Sequence, residues 1–161
     1  MRNSLILIVA LLVAVGVSAK KVNEGVENLD LVDNNVLEES SNLNTNNIKI
    51  IVNNNELNIQ LEDNEATKEL TEKLNSGDIV VNASEYGGFE KVGPLGFSLT
   101  RDDKQITTEA GDIVLYQGNQ ISLFYNSNSW SYTKLGKVTN ISEKELKDVL
   151  GNGDVVLTLK K

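Results

Sequence analysis

Residues 111–137 read GDIVLYQGNQISLFYNSNSWSYTKLGK, and the reading of this stretch decides the fold. Two apolar runs of strand length, 113–116 and 121–125, flank Gln117-Gly118-Asn119-Gln120, a turn-forming group built round glycine. The spacing predicts a hairpin, followed by an aromatic loop around Trp130 and Tyr132. Most of the large aromatics fall here: Tyr116, Phe124, Tyr125, Trp130 and Tyr132. Such side chains bury much area and offer flat, partly polar contact faces, so a binding surface is expected in this region. Val114, Tyr116 and Phe124 alternate as core positions do.

Working outward, residues 83–112 read as irregular, punctuated by Gly87-Gly88, Gly93-Pro94 and Gly96. Before them, 79–81 is a short strand. A helix over 65–74 has Asn64 as its N-cap, Glu65 in its first turn and Ala66, Leu70 and Leu74 at a spacing of four. The runs 48–52 and 56–61, separated by asparagines, predict another hairpin, the second run alternating polar with apolar. On the other side, Ser142 with Glu145 predicts a capping box for a helix over 142–150, which Gly151-Asn152-Gly153 ends. Residues 155–159 alternate as a last strand. Strands outnumber helices and neighbours are hairpin-linked. This order implies a mainly β fold, a small antiparallel barrel or closed sheet with two short helices at its open ends.

The N-terminal residues differ in kind. Residues 1–19 carry one cation, Arg2, an unbroken apolar run over 5–15 and small residues at Val17-Ser18-Ala19. That is a signal peptide with cleavage expected after Ala19, the alternative being an uncleaved membrane anchor. The chain is expected to be secreted or otherwise extracytoplasmic. Residues 20–47 are rich in Asn and acids, hold no aromatic and show no steady apolar period. Such a stretch buries too little to offset its ordering entropy and is expected to be a disordered spacer, with a short helix over 32–39. The domain is expected over 48–161.

Composition excludes whole classes of chemistry. The 161 residues include no Cys and no His. Thiol nucleophiles, zinc thiolates, Ser-His-Asp triads and His-based metal centres are ruled out. Lys plus Arg is 15 against 23 Asp plus Glu, a net charge of −8. Nucleic acid and anionic membrane surfaces both need clustered cations, so neither is expected as a partner. No cofactor motif is present. Asp102, Asp103 and Asp112 lack the spacing of a calcium loop, and no metal is expected.

The segments IKIIVNNNELNIQLEDNEATKELTEKL (48–74), EYGGFEKVGPLGFSL (85–99), AGDIVLYQGNQISLFY (110–125) and SWSYTKLGKV (129–138) together resemble the small bacterial and archaeal cyclophilin-like fold proteins. The resemblance covers 48–161 and none of 1–47. It implies a cyclophilin-type closed barrel capped by helices. Cyclophilin prolyl isomerases carry an Arg in a Phe-His-Arg motif and a Gln and a Phe on the neighbouring strand. This chain has no such motif. Gln120 and Phe124 lie on a roughly equivalent strand at a different spacing, and Arg101 is the only arginine after Arg2.

The candidate ligand-binding residues are Arg101, Glu85, Tyr86, Phe89, Gln120, Trp130 and Tyr132. Arg101 can grip a carboxylate or a peptide carbonyl with its planar fork, or close an ion pair with Asp102 or Asp103. Glu85-Tyr86-Gly87-Gly88-Phe89 can form a pocket rim, or a loop that needs glycine dihedrals. Trp130 and Tyr132 can stack a ligand ring or a proline, or plug the barrel end. Asn82-Ala83-Ser84 and Asn140-Ile141-Ser142 are glycosylation sequons. Three readings follow. The first is a non-enzymatic module binding a peptide or small ligand. The alternative is a divergent peptidyl-prolyl isomerase with Arg101 polarising the carbonyl. The third is a structural surface domain held off a membrane by its spacer.

Overall fold

The computed structural model describes residues 48–161. The expected signal peptide, spacer and 32–39 helix lie outside the described residues. Nine strands and two helices follow one another as β1 (Ile48–Val52), β2 (Asn55–Leu61), α1 (Glu65–Leu74), β3 (Ile79–Tyr86), β4 (Glu90–Pro94), β5 (Lys104–Thr107), β6 (Asp112–Tyr116), β7 (Gln120–Phe124), β8 (Ser129–Val138), α2 (Glu143–Leu150) and β9 (Val155–Lys160). Every pairing is antiparallel. The order β2-β1-β9-β3-β4-β7-β6-β8 returns to β2 through a β8–β2 pairing, which closes an eight-stranded barrel; β5 pairs with the first half of β8. No helix among the described residues is long and apolar enough to cross a membrane.

Local chemistry explains the connections. Asn53 and Asn54 both have positive φ, 47° and 62°, in the two-residue turn between β1 and β2. That is the type I′ geometry whose twist suits a hairpin, and asparagine tolerates it. Asn64 caps α1 by accepting from Thr67 N at 3.0 Å, and Ser142 caps α2 reciprocally with Glu145. Ala66, Leu70 and Leu74 of α1 and Leu146 and Leu150 of α2 join the same apolar cluster as the inward-facing residues of the barrel. The helices are amphipathic and this burial is what holds them.

The region 83–112 corrects the sequence reading in part. Nearly half of it is strand. β3 runs on to Tyr86, β4 occupies 90–94 and β5 occupies 104–107. Asn82, Ala83 and Ser84 carry little β propensity, but pairing with β9 from Ile79↔Leu159 to Ala83↔Val155, and of Ser84 with Val92 of β4, holds them extended. Gly93 in β4 serves a close approach: a Cβ there would stand 2.4 Å from the Asn82 carbonyl oxygen. Pro94 is tolerated as the last residue of its strand. The expected aromatic loop is also strand, since Trp130 and Tyr132 open β8 and pair with Ile106 and Lys104.

Candidate functional site

The sheet around β7 has two apolar faces. Ile113, Leu115, Ile121 and Leu123 point into the barrel core. Val114 and Phe124, alternating with them, point to the other face and form a second cluster with Tyr132, against which Phe89, Ile106 and Tyr116 pack. Val114 and Phe124 are fully buried as core residues, but in this outer cluster; Tyr116 is only partly covered.

A cleft of about 470 Å³ opens on this outer face, lined by Tyr86 and Phe89 from the β3–β4 hairpin, Glu90 and Val92 of β4, Tyr116 of β6, Gln120 of β7, Asn128, and Trp130 and Tyr132 of β8. The aromatics contact one another in series. Tyr86 meets Phe89 edge-on at 5.8 Å, Phe89 stacks on Phe124 at 6.1 Å, Phe124 meets Tyr132 edge-on at 5.6 Å, and Tyr132 meets Tyr116 at 6.0 Å. Such offset and edge contacts hold rings in fixed orientations. The Phe89 carbonyl accepts from Tyr125 N and Asn126 N, which pins the hairpin tip. Asn128 is held to Thr108 by reciprocal hydrogen bonds and donates to the Tyr132 hydroxyl at 2.9 Å. Trp130 is 57% exposed at the rim.

Glu90 is the one acid in this lining. It is 6% exposed and sits opposite Phe124 on β7. Its Oε2 has no hydrogen-bond partner, and neither has the nearby Ser122 Oγ. Burial pushes the Glu90 carboxyl above its ordinary value and the Glu85 charge adds to the rise, outweighing the pull of the Ser122 hydroxyl, which lies beside the carboxyl without closing a hydrogen bond of good geometry. Burial and the Glu90 charge likewise push the Tyr132 hydroxyl up.

The structure gathers five of the seven candidates, Tyr86, Phe89, Gln120, Trp130 and Tyr132, round this one cleft. Tyr132 is buried as part of its wall and Trp130 stands open. Glu85 and Arg101 lie elsewhere. Arg101 is ion-paired to Asp103 through Nε and Nη2, which lifts its pKa, and its stem covers Gly118 in the β6–β7 turn. Glu85 accepts from Lys91 Nζ at 2.6 Å and from the Tyr125 hydroxyl. Burial would push the Glu85 carboxyl up, but the Lys91 and Tyr125 hydrogen bonds together bring it below its ordinary value. Burial, with Glu85 beside it, pushes Tyr125 up to about 12. Asp102, Asp103 and Asp112 are separately paired, with Lys104, Arg101 and Lys134 respectively. Of the sequon asparagines, Asn82 is exposed on β3, while Asn140 is tied to β2 by accepting from Asn58 N and donating to the Glu56 carbonyl.

Sequence reasoning missed Glu90, Val92, Tyr116 and Asn128 as lining residues. Reading β4 as irregular hid the alternation that puts Glu90 and Val92 on the cleft side and Lys91 on the other. Two other surface hollows exist, one along β3 and β9 and one beside β2 and α1, but neither gathers aromatic side chains.

No curated protein matches the chain. The model of the cyclophilin-like family matches residues 50–160, from the third residue of β1 to the end of β9. With the closed antiparallel barrel and its two helices in place, the chain belongs to the cyclophilin-like family.

Proposed function

We propose that this chain is an exported, non-enzymatic binding module that holds a peptide side chain or a small ligand in the cleft between the β3–β4 hairpin and β8. The observation that carries this reading is the convergence of four aromatic side chains, exposed Tyr86 and Trp130 and half-buried Phe89 and Tyr116, with Gln120 and Glu90 in a concavity of about 470 Å³. Clefts of that size, mostly apolar with a few fixed polar groups, are what small-ligand sites look like. The apolar run and small residues of 1–19 support export.

Membership of the cyclophilin-like family keeps the isomerase reading in view. It is the weaker one, because Arg101, the group that would polarise the carbonyl, is engaged with Asp103 and is not among the lining residues. The test uses Trp130, the only tryptophan of the chain and itself at the rim. Titrating short peptides and heteroaromatic amides should shift Trp130 emission. Tyr86→Ala should weaken that response about threefold or more, on the order of one aromatic contact. Arg101→Ala should leave it unchanged. Emission and cleft amide chemical shifts unmoved across the whole set would sink the binding reading. Catalysed Xaa-Pro isomerisation that Arg101→Ala abolishes would replace it with the isomerase.

A further inference from the structure

We propose that the cleft takes an organic cation bearing N–H donors, a protonated amine or a guanidinium on an alkyl stem, with Glu90 as its counter-charge. The inference rests on the cleft being a ligand site and adds the chemistry of the ligand.

Three observations carry it. First, the cleft lining holds one carboxylate and no lysine or arginine. An anion would meet Glu90 with nothing to offset the repulsion. The only other titratable groups facing the cleft are the hydroxyls of Tyr86 from β3, Tyr116 from β6 and Tyr132 from β8; Glu85 of β3 lies outside the lining, paired with Lys91, though its charge reaches Glu90. Lys91 cannot neutralise Glu90, because it faces the other side of β4 and is fully engaged by Glu85 and the carbonyls of Gly151 and Gly153. Second, Glu90 is more than nine-tenths buried and its Oε2 is unpartnered. A buried acceptor without a donor is costly, and a charged donor makes the strongest available hydrogen bond to it. Third, aromatic rings line the same cleft as that carboxylate. Their faces attract cations, most of all where water is excluded. A guanidinium or alkylammonium satisfies all three at once, donating to Oε2 while its stem and charge lie against the rings. A quaternary ammonium would engage the rings and leave Oε2 unpaired.

The cation has two sources, a lysine or arginine side chain of a peptide or a free amine, and the test separates them. The full-length protein is titrated with n-butylguanidinium, with n-butylammonium, with the neutral isostere N-butylurea and with N-acetylarginine methylamide. Trp130 emission and calorimetry are the readouts. Both butyl cations should bind about tenfold or more tighter than N-butylurea, the difference one charge-assisted hydrogen bond makes. Glu90→Gln should remove that preference, bringing the cations down to about the affinity of N-butylurea. Cation affinity should rise with pH as Glu90 ionises and then level off, with a proton released on binding at the low end. Tighter binding of the blocked arginine than of butylguanidinium assigns a peptide; equal binding assigns a free small molecule. N-butylurea binding as tightly as the cations, or a preference that survives in Glu90→Gln, overturns the cation while leaving the cleft a ligand site. No response to any of these probes or to the amides and peptides above overturns both. The comparison of butylguanidinium with N-butylurea on the wild-type protein needs no variant to fold.

Discussion

Glu90 and Lys91 are neighbours on β4 and therefore face opposite sides of the sheet, where their surroundings differ completely. Lys91 is fully buried, yet its ammonium donates to Glu85, to Gly151 O at 3.0 Å and to Gly153 O at 2.6 Å, and lies 5.6 Å from the Tyr125 ring. The pairing ties β3 and β4 to the turn after α2. Lys91→Met strands two carbonyls and Glu85, and should cost about 3 kcal/mol in urea denaturation, the range for removing one partner of a buried pair. Glu90 has the opposite character. Its folded pKa is raised, so the stability tied to its proton is fully present below the ordinary value of 4.5 and is lost as pH climbs through the folded value. Glu85, with its lowered pKa, contributes stability that is lost as pH falls below 4.5. Glu90→Gln should therefore stabilise the protein at neutral pH, on the order of 1 kcal/mol, and flatten the decline above pH 4.5. Thermal melts from pH 4 to pH 8 would show it, and a destabilised variant at neutral pH would contradict it. At this scale the sequence was a poor guide. The rarity of Arg101 drew attention to it, but an acid two residues on occupies its guanidinium. Glu90, one acid among many, becomes special only through burial.

β8 is the element on which both fold and site depend. Its first half carries Trp130 and Tyr132 and pairs with β5. Its second half pairs with β6 along one run and with β2 from Ile59↔Val138 to Leu61↔Gly136, the seam that closes the barrel. A register shift against β6 between Ile113 and Val114 leaves Leu135 unmatched and buried in the core. Such a bulge re-aims the residues on either side of it. At the seam, Gly136 lies so close to β2 that a Cβ would stand 2.4 Å from Gln60 O and 3.1 Å from Ile59 Cγ2. Gly136→Ala should part the seam and cost about 2–3 kcal/mol, with early amide exchange in β2 and β8. An alanine variant of wild-type stability would show that the seam yields cheaply. Elements with local signatures were legible. The Asn64 and Ser142 caps, the 113–116 and 121–125 hairpin and the closing strand all rest on residues near in sequence. β3 beyond Val81, β4 and β5 were not legible, because partners far along the chain hold their extended form. Gly93 and Pro94 read locally as a turn while serving a strand.

For the molecule as a whole, the count and order of strands were enough to imply a closed antiparallel fold, and the quoted segments carried the family resemblance. The cleft was half legible for a geometric reason. A barrel wall has two faces, and an apolar residue in a strand does not say which face it is on until the pairings are known. Val114 and Phe124 read as core and are buried, yet they belong to the outer cluster on which the cleft's aromatics pack. The same pairings carry one more consequence. The first and last strands of the domain, β1 and β9, lie side by side and antiparallel, with Lys49 opposite Lys160. Entry and exit of the chain are thus about 5 Å apart, one strand spacing. A unit with such a doorway can be spliced into a surface loop of a host protein without prising that loop open. It can equally be re-cut at Asn53-Asn54 and its old ends joined by a short bridge, giving a permuted chain with the same barrel and the same cleft.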